Sequence, residues 1–168
     1  MRGAFIPVVA LAIGGTVFSA MAQVLWWPFS EIDQWPMEPG MRGSVPRHHF
    51  ALRSGFPGAY RRASNPLPRT RETVERGAKV YEANCASCHG ATGAGDGEAG
   101  RNLSPPPGNL AWLSQVPLVQ WDPFMYWTVA EGGARFGTAM PAFKDTLSKD
   151  DIWAVITYIQ AQLPQTAK

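Results

Sequence analysis

Cysteine is scarce in this sequence, and the scarcity limits what it can do. The 168 residues include only two cysteines, Cys85 and Cys88, three positions apart. A disulfide framework that links distant parts of the chain is therefore excluded, and the two thiols must act locally. The formal net charge is only +2, and no run of basic residues interleaved with aromatic residues forms a binding face. Nucleic acid is therefore not an expected partner.

Strand-like alternation of apolar and polar residues is also missing, whereas helical patterns are well marked after Pro68. The three predicted helices begin at the capping residues Thr70, Asp122 and Ser148 and end at Cys85, Gly132–Gly133 and Pro164. In the last helix we expect Asp151 to complete a capping box with Ser148. These patterns predict an all-α domain over residues 70–168.

The N-terminal part contains one long apolar run. From Ala4 to Phe29 there is no charged residue, Arg2 precedes the run, and Trp26 and Trp27 lie near its end. This arrangement predicts that residues 1–29 anchor the chain in an inner membrane, with the remainder on the periplasmic side. The alternative is a signal peptide cleaved before Gln23, which would release a soluble periplasmic protein.

Residues 30–69 are rich in proline and arginine and show little helical or strand periodicity. We therefore expect a tether, or an arm that docks onto a partner subunit or onto acidic lipid headgroups. His48 and His49 lie in this segment and are potential metal ligands. A solvent-facing histidine pair in a proline-rich stretch is more often inert, which is our expectation here.

The two cysteines belong to a C-x-x-C-H motif, Cys85-Ala86-Ser87-Cys88-His89, which is typical of c-type haem attachment. Cysteines three apart at a helix end project to one side, so each can form a thioether with one porphyrin vinyl group, and His89 is placed to ligate the iron. A structural zinc site would need further ligands that the spacing does not provide. A thioredoxin-like pair would need a βαβ setting that the sequence does not have.

An iron bound by one histidine has a sixth position, and Met140 is the best candidate ligand for it. Met140 lies in a predicted loop between two helices and precedes Pro141, whereas Met125 lies in a predicted helix where packing is its expected role. A His/Met pair raises the reduction potential and leaves no open position, so we expect an electron carrier and not an enzyme. The alternative is an open sixth position, which would indicate a haem enzyme or a gas sensor.

With this motif upstream of Met140, the sequence resembles a class I monohaem c-type cytochrome from Glu72 to Leu163. Further matching positions are those at which the first and last helices of the family cross: Gly77, Tyr81, Trp153 and Tyr158. The resemblance implies a cytochrome c-like helical domain around one covalently bound haem c. It also implies transfer of one electron at a time through the exposed haem edge.

The resemblance also implies roles for residues around the haem. The carbonyl of Pro106 or Pro107 would accept a hydrogen bond from His89, and the loop from Gly90 to Gly97 would cover the porphyrin. Candidate partners of the haem propionates are Arg101, Trp112 and Arg135. An apolar shell would come from aromatic residues such as Trp127, Phe136 and Trp153.

The apolar segment and the arm depart from the short soluble form of the family. In this respect the chain resembles cytochrome subunits tethered to respiratory or photosynthetic membrane complexes. We therefore expect redox proteins of a membrane electron-transfer complex as partners. A related possibility is a subunit that acts mainly through residues 30–69, with its haem as one relay in a larger enzyme.

Overall fold

The computed structural model describes residues 45–117, 119–161 and 163. In these ranges the chain forms α-helices and short 3-10 helices, and no β-strand is present. The α-helices are α1 (Val45–Ser54), α2 (Arg71–Asn84), α3 (Ala86–His89), α4 (Leu110–Leu113), α5 (Asp122–Glu131) and α6 (Lys149–Gln160). The 3-10 helices are Glu98–Gly100 and Ala134–Phe136. The all-α prediction is confirmed for the described part of the chain.

Helix α2 begins where the sequence predicts. The hydroxyl of Thr70 accepts a hydrogen bond from the backbone N–H of Thr73, which satisfies one donor of the first turn. At the other end, the backbone N–H of Cys85 donates to the Tyr81 carbonyl at 2.8 Å. The predicted helix from Thr70 into Cys85 is therefore confirmed, and its end delivers the first cysteine to the site.

Helix α6 is almost entirely buried from Ile152 to Gln160. One half of the predicted capping box is present, because the hydroxyl of Ser148 accepts from the backbone N–H of Asp151 at 3.1 Å. The Asp151 carboxylate accepts from the Ser148 hydroxyl at 2.6 Å, and not from the Ser148 backbone N–H as a full box requires. The helix ends at Gln160, earlier than expected, since the backbone of Ala161 already departs from helical geometry. Leu163, which was expected to be helical, has a left-handed backbone conformation. Pro164, the predicted stop, lies outside the described residues.

Helices α2 and α6 cross at Gly77. A side chain at Gly77 would overlap the backbone of Ala154, so the two helices meet backbone against backbone. Beside this contact the rings of Tyr81 and Tyr158 lie 5.4 Å apart. The expected crossing therefore holds for these positions, whereas Trp153 turns the other way and packs on Tyr126 of α5 at 4.4 Å.

Helix α5 begins one residue earlier than predicted. The N-cap position is Trp121, which makes no side-chain capping bond, and Asp122 is already helical. The Asp122 carboxylate instead accepts a hydrogen bond from the backbone N–H of Asn65 at 2.8 Å. The prediction of Asp122 as the cap is wrong because this carboxylate is used by a distant segment. The predicted stop is confirmed, since Gly132 caps the C-terminus.

The described part of the predicted tether, residues 45–69, is packed onto the helices that follow it. It begins with α1, so the expectation of little helix is wrong for Val45–Ser54. Ala51 and Phe56 are each only 5% exposed and belong to the main apolar core. Residues 45–69 therefore form part of the same compact unit as residues 70 onward.

The predicted anchor over residues 1–29, its alternative cleavage position before Gln23, and the first part of the predicted tether, residues 30–44, lie outside the described residues. Of the helices in the described ranges, none combines the length and the apolar character needed to cross a membrane.

Candidate haem site

The C-x-x-C-H motif occupies one tight helical turn. Cys85 ends α2 and also precedes α3, and the backbone N–H of His89 donates to the Cys85 carbonyl at 2.9 Å. This turn brings Cys85, Cys88 and His89 into the wall of one cavity. The motif therefore presents two thiols and an imidazole to the same space.

The cavity is large and mostly apolar. Its space, including the open mouth, is about 1180 Å³. The walls come from every α-helix of the described chain and from the loops around α4 and after α5. Apolar wall residues include Leu113, Val119, Phe124, Val129, Val155 and Ile159. Such a space fits a broad apolar ring system better than a small polar substrate.

The imidazole of His89 is held by one backbone hydrogen bond. Its Nδ1 atom lies 2.9 Å from the carbonyl oxygen of Gly108, so Nδ1 carries the proton and Nε2 is the nitrogen with a lone pair for a metal. Burial lowers the pKa of His89, and the bond to Gly108 opposes this only in part. The ring is therefore neutral at pH 7, as a metal ligand must be.

The prediction that Pro106 or Pro107 supplies this carbonyl is wrong. Both prolines line the cavity, but the acceptor is the next residue, Gly108. Successive carbonyls along an extended segment point in different directions, so only one of them can face the imidazole. The two prolines therefore contribute apolar wall and the glycine contributes the hydrogen bond.

The predicted covering loop is tied to the motif helix by backbone bonds. The hydroxyl of Tyr81 donates to the Gly90 carbonyl at 2.8 Å. The N–H of Gly95 donates to His89 at 2.8 Å, and that of Gly97 donates to Cys88 at 3.1 Å. Gly90 and Gly95 have φ angles of 80° and 84°, a region that favours glycine. The loop therefore fixes the backbone on either side of the proximal histidine.

Met140 lies in the loop after α5 and also lines the cavity. Its carbonyl accepts from the backbone N–H of Gly133 at 2.8 Å, which closes the loop on itself and fixes the position of the methionine. Met125 lines the same cavity from α5 and is only 4% exposed. The structure therefore brings two thioethers to the cavity, one on a loop and one in the core of a helix.

Several other predicted residues do not line the cavity. Arg101 and Arg135 are exposed, and the Arg135 guanidinium lies over the Phe50 ring at 4.4 Å. Trp112 is 38% exposed and also lies outside the wall. The aromatic residues expected to form the shell, Trp127, Phe136 and Trp153, pack in or against the core beyond the wall residues.

Sequence reasoning missed two wall residues on α1, Arg47 and His48. His48 was expected to face solvent, but its ring lies 4.9 Å from Phe124 in the cavity wall. The neighbouring Arg47 is 6% exposed. No local signal in the sequence indicates these positions, because they depend on a contact with α5 more than 70 residues later.

The donor set fits haem c. Burial, together with the neighbouring Cys88, raises the pKa of Cys85 to about 12, so this thiol is not the acidic thiolate of a redox-active pair. Two thiols, a neutral imidazole, a thioether and apolar walls are the groups that a covalently bound haem requires. Within the described residues, no group of three or more His, Cys, Asp or Glu side chains could hold a metal ion without a porphyrin.

The helical fold, the motif and the cavity define a class I c-type cytochrome, a class in which haem c is covalently bound. Residues 72–159 match the family model of cytochrome c oxidase, cbb3-type, subunit III. The chain belongs to this family, and haem c is its cofactor.

Two kinds of curated relatives are similar to this chain. The cbb3-type cytochrome c oxidase subunit FixP of Azorhizobium caulinodans is 32% identical over 103 residues, which is 59% of this chain and 30% of FixP. Cytochrome c6 of Microcystis aeruginosa is 34% identical over 87 residues, which is 51% of this chain and 93% of that protein. The chain thus spans less than a third of FixP but nearly all of the cytochrome c6.

Among solved structures, a chain of the reducing HAO-like protein complex of Kuenenia stuttgartiensis is similar. The TM-score is 0.45 at 25% sequence identity, over 58% of this chain and 47% of that chain.

Proposed function

We propose that this protein carries single electrons through a haem held by Cys85 and Cys88 and ligated by His89 and Met140. The observation that supports this proposal most directly is that His89 and Met140 both line one apolar cavity. The bond from His89 Nδ1 to Gly108 leaves Nε2 for the iron. The haem supplies the ferric–ferrous couple, and the protein supplies its ligands and surroundings.

The chain's own residues control that couple in two ways. The apolar wall excludes water, which disfavours the more highly charged ferric state, and a neutral thioether from Met140 favours ferrous iron. A side chain at each axial position leaves no site for a substrate. The combination supports a carrier of relatively high potential.

The axial ligation is tested by the optical spectrum of the ferric protein. We expect the methionine-to-iron charge-transfer band in the wild-type protein and in Met125→Ala, and its loss in Met140→Ala together with a lower midpoint potential. Met125 is the matched control because it also lines the cavity. A band that survives Met140→Ala would mean that Met140 is not the sixth ligand. No band in the wild type, with rapid carbon monoxide binding, would favour the haem enzyme or gas sensor.

The proposal extends to location and partner. The apolar run from Ala4 to Phe29 supports an anchor that holds the haem domain on the periplasmic side of the inner membrane. The family description and the name of the FixP relative support a subunit of, or a shuttle for, a membrane oxidase or a similar complex.

Membrane fractionation with N-terminal sequencing tests the anchor, and gentle solubilisation with co-purification tests the partner. We expect an intact N-terminus in the membrane fraction and co-purification with other redox subunits. A mature chain that begins at Gln23 and is soluble would exclude the anchor and leave the haem assignment unchanged.

A further inference from the structure

Arg47 is the only lysine or arginine that lines the cavity among the residues that the structure describes. The two arginines that the sequence offers as partners of the haem propionates, Arg101 and Arg135, lie elsewhere on the surface. Arg47 lies on α1, upstream of residues 72–159 that match the family model. The one basic side chain in the described cavity wall therefore comes from outside the residues that match the family model.

The guanidinium of Arg47 is held in place by the C-terminal end of α5. It donates to the carbonyl of Thr128 at 3.0 Å and to the carbonyl of Gly132, two acceptors at the negative end of the helix dipole. It also lies 5.6 Å from the Trp127 ring centre and 5.1 Å from that of Phe136. These contacts fix its orientation and use two of its five N–H donors.

The positive charge of Arg47 has carbonyl and aromatic partners, but no carboxylate among the ion pairs of the described residues. Arg47 as a residue is 6% exposed, and the ion pairs found in residues 45–117, 119–161 and 163 join other side chains. Burial lowers the pKa of Arg47 to about 10, so it remains a cation at pH 7. A buried cation requires an anion or further acceptors to offset its loss of hydration. A haem brings two propionate carboxylates into the same cavity.

We propose that Arg47 binds a haem propionate, so that α1 forms part of the haem site. This inference rests on the proposed haem site. Helix α5 already orients the guanidinium, and its remaining N–H groups donate to the propionate carboxylate. The two groups then lie in one plane, as arginine–carboxylate pairs do. The positive charge keeps the propionate ionised across the neutral pH range. The segment that resembles a tether in sequence thus contributes a residue to the cofactor site.

The test is the pH dependence of the midpoint potential of the full-length protein. In the wild type we expect a potential that is nearly flat between about pH 6 and 8, because the arginine holds the propionate pKa low. In Arg47→Gln the buried propionate loses its counter-charge and its pKa rises into this range. Its pKa is lower in ferric than in ferrous protein, because ferric iron favours the carboxylate, so the potential must fall as pH rises.

Two variants separate this effect from simple loss of charge or of structure. Arg62→Gln removes the same charge from an exposed position in the same segment, and its potential should stay flat with pH. Arg47→Lys keeps the charge, so its potential should also stay flat. A flat profile for Arg47→Gln would overturn the proposal. So would a new pH-dependent step in Arg62→Gln of the same size.

His48 is the other titratable group to control. The titratable side chains that line the cavity, besides Arg47, are Cys85, Cys88, His48 and His89. The two thiols no longer titrate once they are bound to haem, and His89 no longer titrates once it is bound to iron. His48 is then the remaining titratable side chain, besides Arg47, in the described wall. The fall of the midpoint potential with pH in Arg47→Gln should persist in the double variant Arg47→Gln/His48→Gln. Its disappearance there would assign the step to His48 and overturn the proposal.

A second measurement covers the case in which Arg47→Gln does not retain haem. Infrared difference spectra of protein with ¹³C-labelled propionates should show a shifted carboxylate band in Arg47→Lys, because a single ammonium group replaces a bidentate guanidinium donor. The band should be unchanged in Arg62→Gln. Identical bands in wild type and Arg47→Lys would overturn the proposal. Failure of the haem site itself would be visible separately, as loss of the covalent haem spectrum from the wild-type protein.

Discussion

Gly77 of α2 and Ala154 of α6 pack backbone against backbone at the centre of the helix crossing. A Cβ atom at Gly77 would lie 2.7 Å from the carbonyl carbon of Ala154 and 2.8 Å from the Cβ of Tyr158. Both neighbours belong to a helix whose residues are buried around this point. Neither can move aside without shifting α6, so only glycine allows this approach.

We expect Gly77→Ala to lower the free energy of unfolding by about 1–3 kcal/mol, the usual cost of overpacking. The roughly 1 kcal/mol that alanine gains over glycine in a helix offsets only part of the clash. Denaturant unfolding of the haem-loaded protein measures the difference. Gly58→Ala is the control, because a Cβ at Gly58 meets nothing within 4 Å. Equal stabilities for the two variants would mean that the crossing tolerates a wider spacing.

Phe56 tests whether residues 45–69 are part of the core. It is 5% exposed, and its ring lies 4.6 Å from Trp121 and 5.8 Å from Trp127. We expect Phe56→Ala to lower the free energy of unfolding by about 3–5 kcal/mol, because it leaves a cavity among aromatic rings. Thermal and denaturant unfolding measure this loss.

Leu52 is the matched control for that prediction. It belongs to the same segment but is 71% exposed, so Leu52→Ala should change the free energy of unfolding by no more than about 0.5 kcal/mol. A small effect for Phe56→Ala as well would indicate that residues 45–69 leave the domain in solution and act as the tether that their composition suggests.

The parts of the site that could be read from the sequence are those set by local chemistry. The spacing of Cys85, Cys88 and His89 is fixed by one helical turn, and the Thr70 and Ser148 caps are fixed by bonds to residues three positions later. Such features depend on neighbours in the chain. The starts of α2 and α6 and the two-cysteine motif were predictable for that reason.

The parts that could not be read depend on distant contacts. Helix α1 is held by bonds from Arg47 to carbonyls 81 and 85 residues away. Asp122 resembles a cap but binds Asn65 from that same segment. The choice of Gly108 over Pro107 as the partner of His89 depends on which way one carbonyl points, which no pattern encodes.

Asn65 joins residues 45–69 to α5 through Asp122 and to α6 through Thr157. Its side chain donates to the Thr157 hydroxyl at 2.8 Å and accepts from the backbone N–H of Leu67 at 3.0 Å. We expect Asn65→Ala to lower the free energy of unfolding by about 1–3 kcal/mol, because it removes both bonds and leaves the Leu67 backbone N–H without this acceptor, whereas the Thr157 hydroxyl keeps its bond to the Trp153 carbonyl. Ser64→Ala, at the adjacent exposed position, should have little effect. Equal unfolding curves for the two variants would contradict this role.

The Ser148 cap of α6 and its bond to Asp151 lead to a prediction about acid stability. The Ser148 hydroxyl, and to a smaller extent Arg76, holds the pKa of Asp151 below its ordinary value of 3.8. Stability from a carboxyl with a lowered folded-state pKa is present above the ordinary value and is lost as pH falls through the folded-state pKa. We expect Ser148→Ala to reduce the free energy of unfolding by about 1 kcal/mol at pH 7.

That reduction should become smaller at about pH 3, where protonation of Asp151 weakens its bond to Ser148 in the wild type as well. The bond from the Asp151 backbone N–H to the Ser148 hydroxyl does not titrate, so part of the difference should remain. Unfolding of the wild type, Ser148→Ala and the control Ser64→Ala at both pH values measures the change. A difference that is the same at the two pH values would mean that the hydroxyl acts only through the backbone N–H and not through the carboxylate.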